Sequence, residues 1–259
     1  MSRATLGAVE IAEHIEELRR HGTALADAAG RAGLDAPVPP CDSWQVKDLL
    51  RHTGFVHRWA ASHIESPVPE VRGGPSEEEI LRGGAPDGEL LDWFRDGHAA
   101  LVQVLRAADP AVETATFIAA PSPLAFWARR QAHETAIHRA DADSAAGEVP
   151  GYPAEFAADG IDELVMGFGQ RRKYRPEAGP GGILRVTTDD TGDGWQARLA
   201  DGRVQAAREP AGRADCVVSG AASAMYLFLW HRGGEEDITV SGDRAVLDQW
   251  KQGVRVRWG

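Results

Sequence analysis

The sequence predicts an α+β protein, with a helical bundle over residues 1–172 and a small α+β domain over 182–259. Three observations carry this prediction. In the first half, apolar residues recur at helical spacing, with charged residues between them and prolines or glycines at the breaks. Beyond about residue 182, short β-rich runs alternate with turn residues and two helical stretches. Between the two lies a basic, then glycine-rich, segment that reads as a boundary near 172–182. A chain of 259 residues has room for one large domain or two modest ones.

The elements follow in order. Leu6, Val9, Ile11, Ile15, Leu18, Leu25 and Ala26 mark a first helix with Glu and Arg on its outer face. The segment Asp35-Ala-Pro-Val-Pro-Pro-Cys-Asp-Ser43 holds three prolines in four positions and must be a loop. Ser43 is the expected N-cap of a second helix, with Val46 at N3 and therefore no capping box. From Trp44 that helix places Val46, Leu49, Leu50, Phe55 and Trp59 on its apolar side and runs to about Ile64. Residues 66–87 carry Pro67, Pro69, Pro75 and Pro86 and form an irregular connection with a short helix at Ser76–Leu81. A third long helix runs from about Asp87 to Ala107 and stops at Asp109-Pro110; a fourth starts after Pro121 and Pro123 and reaches about Asp143. Four such helices suggest an antiparallel bundle. A further helix over Ala154–Phe168 leads into the basic run Arg171–Arg175 and the glycine-rich stretch from Glu177. Strands are then expected at Ile183–Thr188, Trp195–Leu199, Val204–Ala207, Cys216–Val218 and Ile238–Val240, with helices at Ala221–Trp230 and Arg244–Gln252.

Composition narrows the function. Lys plus Arg number 28 against 39 Asp plus Glu, a formal charge of −11, so neither nucleic acid nor an anionic membrane surface is an expected partner. The longest apolar stretch, Ala221–Trp230, is about half the ~20 residues that span a bilayer. Glu10, Glu13, Glu16 and Glu17 interrupt any apolar core of a signal peptide behind Met1. Cys41 and Cys216 make no disulfide framework and read as small buried hydrophobes. A soluble protein of the cytoplasm is expected. No phosphate-cradling glycine motif is present, so nucleotide cofactors have no support.

The segment Trp127-Ala-Arg-Arg-Gln-Ala-His-Glu-Thr-Ala-Ile-His138 carries the strongest chemical signal. Glu134 and His138 are four residues apart, share one helix face and can reach one metal ion, although the same spacing also serves exposed pairs of small energetic weight. His133 points elsewhere, so this is not the zinc-protease pattern. A third ligand must come from another helix. His52 is best placed, with His57 and His63 as competitors five and eleven residues further on. Two imidazoles and a carboxylate leave a four-coordinate ion one position for another ligand, as catalytic zinc sites do. Such a donor set also accepts nickel or iron.

Three stretches of the chain resemble the maleylpyruvate isomerase family of mycothiol-dependent enzymes. They are Trp44-Gln-Val-Lys-Asp-Leu-Leu-Arg-His52, the helix from Trp127 through Glu134 to His138, and Cys216-Val-Val-Ser-Gly-Ala through Arg232-Gly-Gly. The resemblance implies a DinB-like four-helix bundle joined to a small C-terminal α/β domain similar to sterol carriers. It further implies a divalent metal, usually zinc, on His52, Glu134 and His138, with mycothiol as the thiol cofactor, and places Arg232 near an interdomain cleft where it would hold an anionic group. The chemistry is consistent: a free thiol has a pKa of about 8.5, whereas a metal-coordinated thiol is deprotonated. A thiolate can add to an activated double bond, allow rotation and leave, or stay attached as a transferase product. The expected partners are thus a small-molecule electrophile and a low-molecular-weight thiol, and the expected state is a monomer or small homo-oligomer.

Other residues carry two readings each. Arg130 is either a surface ion-pair partner or a substrate-carboxylate ligand, and Trp127 either core or a wall of the pocket. Asp189–Gly194 begins like a calcium loop but has Ala200 at the twelfth position and reads as a hairpin turn. Arg171–Arg175 reads as a solvated helix end. The rival function is a non-catalytic module binding a metal or a hydrophobic ligand; a further one is a structural bundle with a vestigial site.

Overall fold

The computed structural model describes residues 11–71, 73, 76–174 and 179–256. Readings that rest on Met1, Leu6, Val9, Glu10, Pro75, Arg175, Glu177 or Ala178 lie outside the described residues. The chain divides into two compact units that meet in sequence at Pro150 and Gly151.

The first unit is built on four long helices: α1 (Ile11–Ala32), α2 (Val46–Glu65), α4 (Leu90–Ala107) and α5 (Pro123–Ala145), with the short α3 (Glu77–Arg82) between α2 and α4. Helix α1 packs against α5 and α4, and α2 against α4 and α5. The consecutive pairs α1–α2 and α4–α5 touch little, so they lie across the bundle from one another. Leu25, Ala29, Leu49, Leu50, Leu90 and Phe94 form one buried cluster toward the end of the bundle where α2 and α4 begin, each large side chain contributing about 1.5–3 kcal/mol by burial.

The predicted helices are present, with local differences that have identifiable causes. The N-cap of α2 is Gln45 rather than Ser43. Val38 N–H donates to Trp44 O and Val46 N–H to Ala36 O, holding residues 44–46 extended against 36–38, while Ser43 turns at φ 69°. The capping box then exists after all, because Gln45 N–H donates to the Asp48 carboxylate at 2.9 Å. Ser76 caps α3, accepting from Glu79 N–H. The turn expected to open α4 at Asp87 is a 3₁₀ turn over Asp87–Glu89. Ser122 caps α5 with Pro123 at its first position, where the missing N–H is not needed.

Helix α5 departs from the usual rule for buried helices. Seventeen of its residues are buried, on every face, and eight of them are polar: Arg130, Gln131, His133, Glu134, Thr135, His138, Asp141 and Asp143. A helix buried all round is normally apolar, so each of these groups needs a partner or a task.

The second unit opens with α6 (Ala154–Asp162), which continues as a π-helical turn over Glu163–Phe168. The strands β1 (Gly182–Thr188), β2 (Gly194–Ala200), β3 (Arg203–Arg208), β4 (Cys216–Gly220) and β5 (Ile238–Gly242) form one sheet in the order β3-β2-β1-β4-β5. Only β1 and β4 run parallel; the other neighbours are antiparallel. Leu184, Val186, Trp195, Ala197, Leu199, Cys216 and Val218 alternate along the strands and are buried. Helix α7 (Ala222–Leu229) packs on α6, and α8 (Arg244–Gly253) on β1 and β4.

The boundary therefore falls before α6, not at 172–182. Side chains tie α6 to the sheet unit: Asp162 accepts from Trp195 Nε1 at 2.9 Å and from Arg208 Nε at 2.6 Å, and Gly160 O accepts from Trp230 Nε1. Among the described residues, no helix is long and apolar enough to cross a membrane.

Candidate metal centre

Ring contacts between α2 and α5 fix how the two helices meet. His52 lies against His138 with ring centroids 4.9 Å apart, and His63 against Trp127 at 4.8 Å, so the helices run in opposite directions. One ligand atom each from His52, Glu134 and His138 come within 4.8 Å of one another, and all three side chains are buried. Glu134 Oε1 is 3.2 Å from His138 Nε2 and 3.6 Å from His52 Nε2.

Neighbouring groups set the orientation of these side chains. Arg130 Nη2 donates to Glu134 Oε2 at 2.9 Å from full burial. Asp141 Oδ2 lies 2.8 Å from His138 Nδ1 and is also 3.6 Å from the Cys41 thiol. The Trp44 ring covers both imidazoles, at 5.0 Å from His52 and 6.3 Å from His138. With Nδ1 turned to Asp141, His138 presents Nε2 to Glu134.

The electrostatics follow. Burial alone would raise the Glu134 carboxyl, but the imidazoles of His138 and His52 and the Arg130 guanidinium outweigh it and hold it well below the usual carboxylate range. Burial alone would lower His138, yet the carboxylates of Asp141 and Glu134 push it up to about 9. The centre sets one ionised carboxylate oxygen facing two ring nitrogens. Among the described residues no donor meets Glu134 Oε1 in hydrogen-bonding geometry, although the atom is buried. A divalent cation suits that oxygen and those nitrogens, the donor types of catalytic zinc sites.

The structure sorts the competing histidines. His57 Nε2 lies 2.9 Å from Thr135 Oγ1, and burial, then His98, push it well below its ordinary value. His63 Nδ1 faces Trp59 O at 2.8 Å. His133 turns to His14, ring centroids 6.0 Å apart. Of the three candidates on α2, His52 is the one placed with Glu134 and His138. Arg130 is neither on the surface nor facing solvent but locked to Glu134, and Trp127 is fully buried among Trp59, His63, Phe117 and Phe126. Arg232 belongs to the second unit, where its Nη1 donates to Trp230 O at 2.9 Å. The loop over Asp189–Gly194 is a hairpin turn, with Asp190 Oδ1 accepting from Ala222 N–H at the start of α7.

Sequence reasoning missed Asp141 and gave Cys41 no part near the centre. The signal for Asp141 was its spacing of three from His138, which puts both on one side of α5. Cys41 gave no signal, since the loop that brings it beside Asp141 is set by backbone pairing.

A helical bundle with a buried two-histidine, one-carboxylate centre, followed by a small mixed-sheet unit, defines a two-unit class of candidate metalloproteins. Comparison with protein-family models matches the mycothiol maleylpyruvate isomerase N-terminal domain to residues 15–143 and the corresponding C-terminal domain to residues 155–249. The chain belongs to the mycothiol-dependent maleylpyruvate isomerase family. Two similar solved structures are the mycothiol-dependent maleylpyruvate isomerase and a histidine-to-alanine mutant of it, at TM-scores of 0.64 and 0.65. Each is 16% identical and covers 90% of this chain and 93% of the other, which shows the shared fold. No curated protein sequence matches the chain.

Proposed function

We propose that the protein is a metal- and mycothiol-dependent enzyme that isomerises a small electrophile, or transfers the thiol to it, with His52, Glu134 and His138 holding a divalent ion. The single observation that carries the reading is the convergence of those three buried side chains from α2 and α5 on one point. Bound there, zinc or a similar ion supplies a thiolate at neutral pH by lowering the pKa of a coordinated thiol. The family membership supports mycothiol as that thiol.

The chain's own residues prepare the centre. Arg130 holds Glu134 Oε2, so that Oε1 is kept toward the imidazoles. Asp141 accepts the Nδ1 proton of His138 and fixes the tautomer that leaves Nε2 a ligand. Trp44 covers both imidazoles, and His52, Glu134 and His138 are themselves buried, which limits access of water to the centre.

The test is turnover of maleylpyruvate with and without mycothiol, by the wild type and by His52→Ala. The reading expects thiol-dependent turnover, lost in the variant at unchanged fold. Metal and thiol binding without turnover of any activated alkene would favour the binding-module reading instead.

A further inference from the structure

Arg198 and Arg203 of the sheet unit have no hydrogen-bond or ion-pair partner among the described residues, although the chain has 39 acidic side chains to 28 basic ones. Arg208 and Arg244 of the same unit each meet a carboxylate, Asp162 and Glu235. The fold holds the two unpaired cations together. A two-residue turn, Asp201-Gly202, joins β2 to β3 with both residues at positive φ, 53° and 65°, the type I′ geometry that fixes hairpin register. Arg198 then stands opposite Gln205, and Ala200 opposite Arg203. Leu199 and Val204 are buried, so Arg198, Arg203 and Gln205 occupy the other, exposed face of the sheet. There the two arginines are diagonal neighbours, with Cα atoms about 7–8 Å apart. With Ala200 and Asp201 they line an open cleft of about 370 Å³. A second cleft, of about 280 Å³, follows the outer edge of β3, where Arg171, Arg172 and Tyr174 join Arg203 and Gln205. Gln170 Oε1 accepts from Ala206 N–H at 3.2 Å and holds that turn against the strand. Arg203 and Gln205 line both clefts, which therefore meet across β3 with four guanidinium groups along them.

We infer that this groove, built wholly within the second unit, is a binding site for a diphosphate group. The inference does not depend on the metal–thiol reading. Two like charges at diagonal positions repel each other, and an anion seated between them replaces that repulsion by two attractions. Guanidinium groups hold phosphate oxygens through pairs of parallel hydrogen bonds. Two linked phosphates offer such oxygens to both clefts, one phosphate to Arg198 and Arg203 and the next toward Arg171 and Arg172. Gln205 Nε2 adds a neutral donor. A single phosphate engages only one half of the groove. The negative surplus of the chain disfavours long polyanions such as nucleic acid. The ligand class that fits is a small one, inorganic pyrophosphate or the diphosphate ester of a small molecule. Asp201, exposed at the turn, opposes the anion and sets a limit on affinity.

The experiment titrates the full chain calorimetrically with pyrophosphate, its monomethyl ester, orthophosphate and citrate at constant ionic strength. Pyrophosphate is expected to bind about tenfold tighter than orthophosphate or citrate. Equal binding of the methyl ester assigns the site to an esterified diphosphate, and its loss assigns the site to the free anion; the diphosphate site stands in both cases. Arg198→Gln and Arg203→Gln should each weaken pyrophosphate by about tenfold. Asp201→Asn, which keeps the type I′ turn, should tighten it by about twofold. These side chains are exposed, so all three variants should melt with the wild type when no ligand is present. Arg213→Gln, at an exposed arginine outside both clefts, should leave binding unchanged. His52→Ala should also bind pyrophosphate as the wild type does, because the proposed metal centre takes no part. Absence of pyrophosphate binding below about 1 mM would overturn the inference. So would citrate bound as tightly as pyrophosphate, an Arg213→Gln effect equal to that of Arg203→Gln, or binding lost in His52→Ala.

Discussion

Arg130 and Asp141 show how much of the proposed metal centre lies outside its three candidate ligands. Neither belongs to the candidate ligand trio, yet one fixes a carboxylate oxygen and the other an imidazole nitrogen. Groups in such positions typically alter metal affinity by about 10–100-fold when removed. Arg130→Met and Asp141→Asn are each expected to weaken metal binding by about that factor, read by competition with a chelator, with the helical circular dichroism unchanged. At this scale the juxtaposition of Glu134 and His138 was legible, because four-residue spacing on a helix is a direct consequence of its pitch. The role of Arg130 was not. An Arg on a helix is usually solvated, and only the burial of α5 on every face turns this one inward.

At the scale of elements, close approach decides more than propensity. On α1, Gly22 faces the His98 ring of α4, and a Cβ at Gly22 would lie 2.2 Å from Nε2 of that ring. His98 cannot swing away freely, since its Nε2 is 3.0 Å from Leu18 O. Gly22→Ala is accordingly expected to destabilise the bundle by about 1–3 kcal/mol through overpacking, despite the better helix propensity of alanine, as a shift in the denaturant midpoint will show. In the second unit, Asp162→Ala removes the acceptor shared by Trp195 and Arg208. With Asp162 buried and Arg208 half-exposed, the expected loss is about 2–4 kcal/mol, with metal content untouched. That result checks the assignment of α6 to the sheet unit. Helix existence was readable from apolar periodicity, whereas the membership of α6 was not. Its apolar face suits a bundle as well as a sheet, and what decides is a set of long-range hydrogen bonds from Gly160 and Asp162 that local sequence does not encode.

For the whole molecule, acid sensitivity follows from histidines kept neutral. Burial pushes His231 down to about 4, with its Nε2 3.2 Å from Val254 O. An unfolded histidine titrates near 6.5, so on acidification the unfolded chain takes the proton first. The stability from His231 is fully present above about pH 6.5 and is lost as pH falls toward 4, about 2 kcal/mol once discounted for its partial exposure. His57 and His98, also lowered by burial, act in the same direction. Thermal melts between pH 7 and pH 4 should show this loss, and His231→Asn, which tolerates the positive φ of 63° at that position, should flatten it. His138 has the opposite sign: pushed up to about 9, its contribution is whole below pH 6.5 and is lost as pH rises through 9. A metal at the proposed centre would compete with that same proton. The bundle-then-sheet order was plain in the chain because the hydrophobic period changes from helical to alternating. Its polar interior was not, since burial depends on the neighbours that α5 acquires.

The most direct measurement is elemental analysis of the purified chain beside His52→Ala and Glu134→Ala, each checked for native circular dichroism. The account predicts one equivalent of zinc or a similar divalent metal per chain in the wild type, and loss of most of it in both variants. A folded wild type without metal, or metal retained in both variants, would contradict the assignment of His52, Glu134 and His138 as a metal centre.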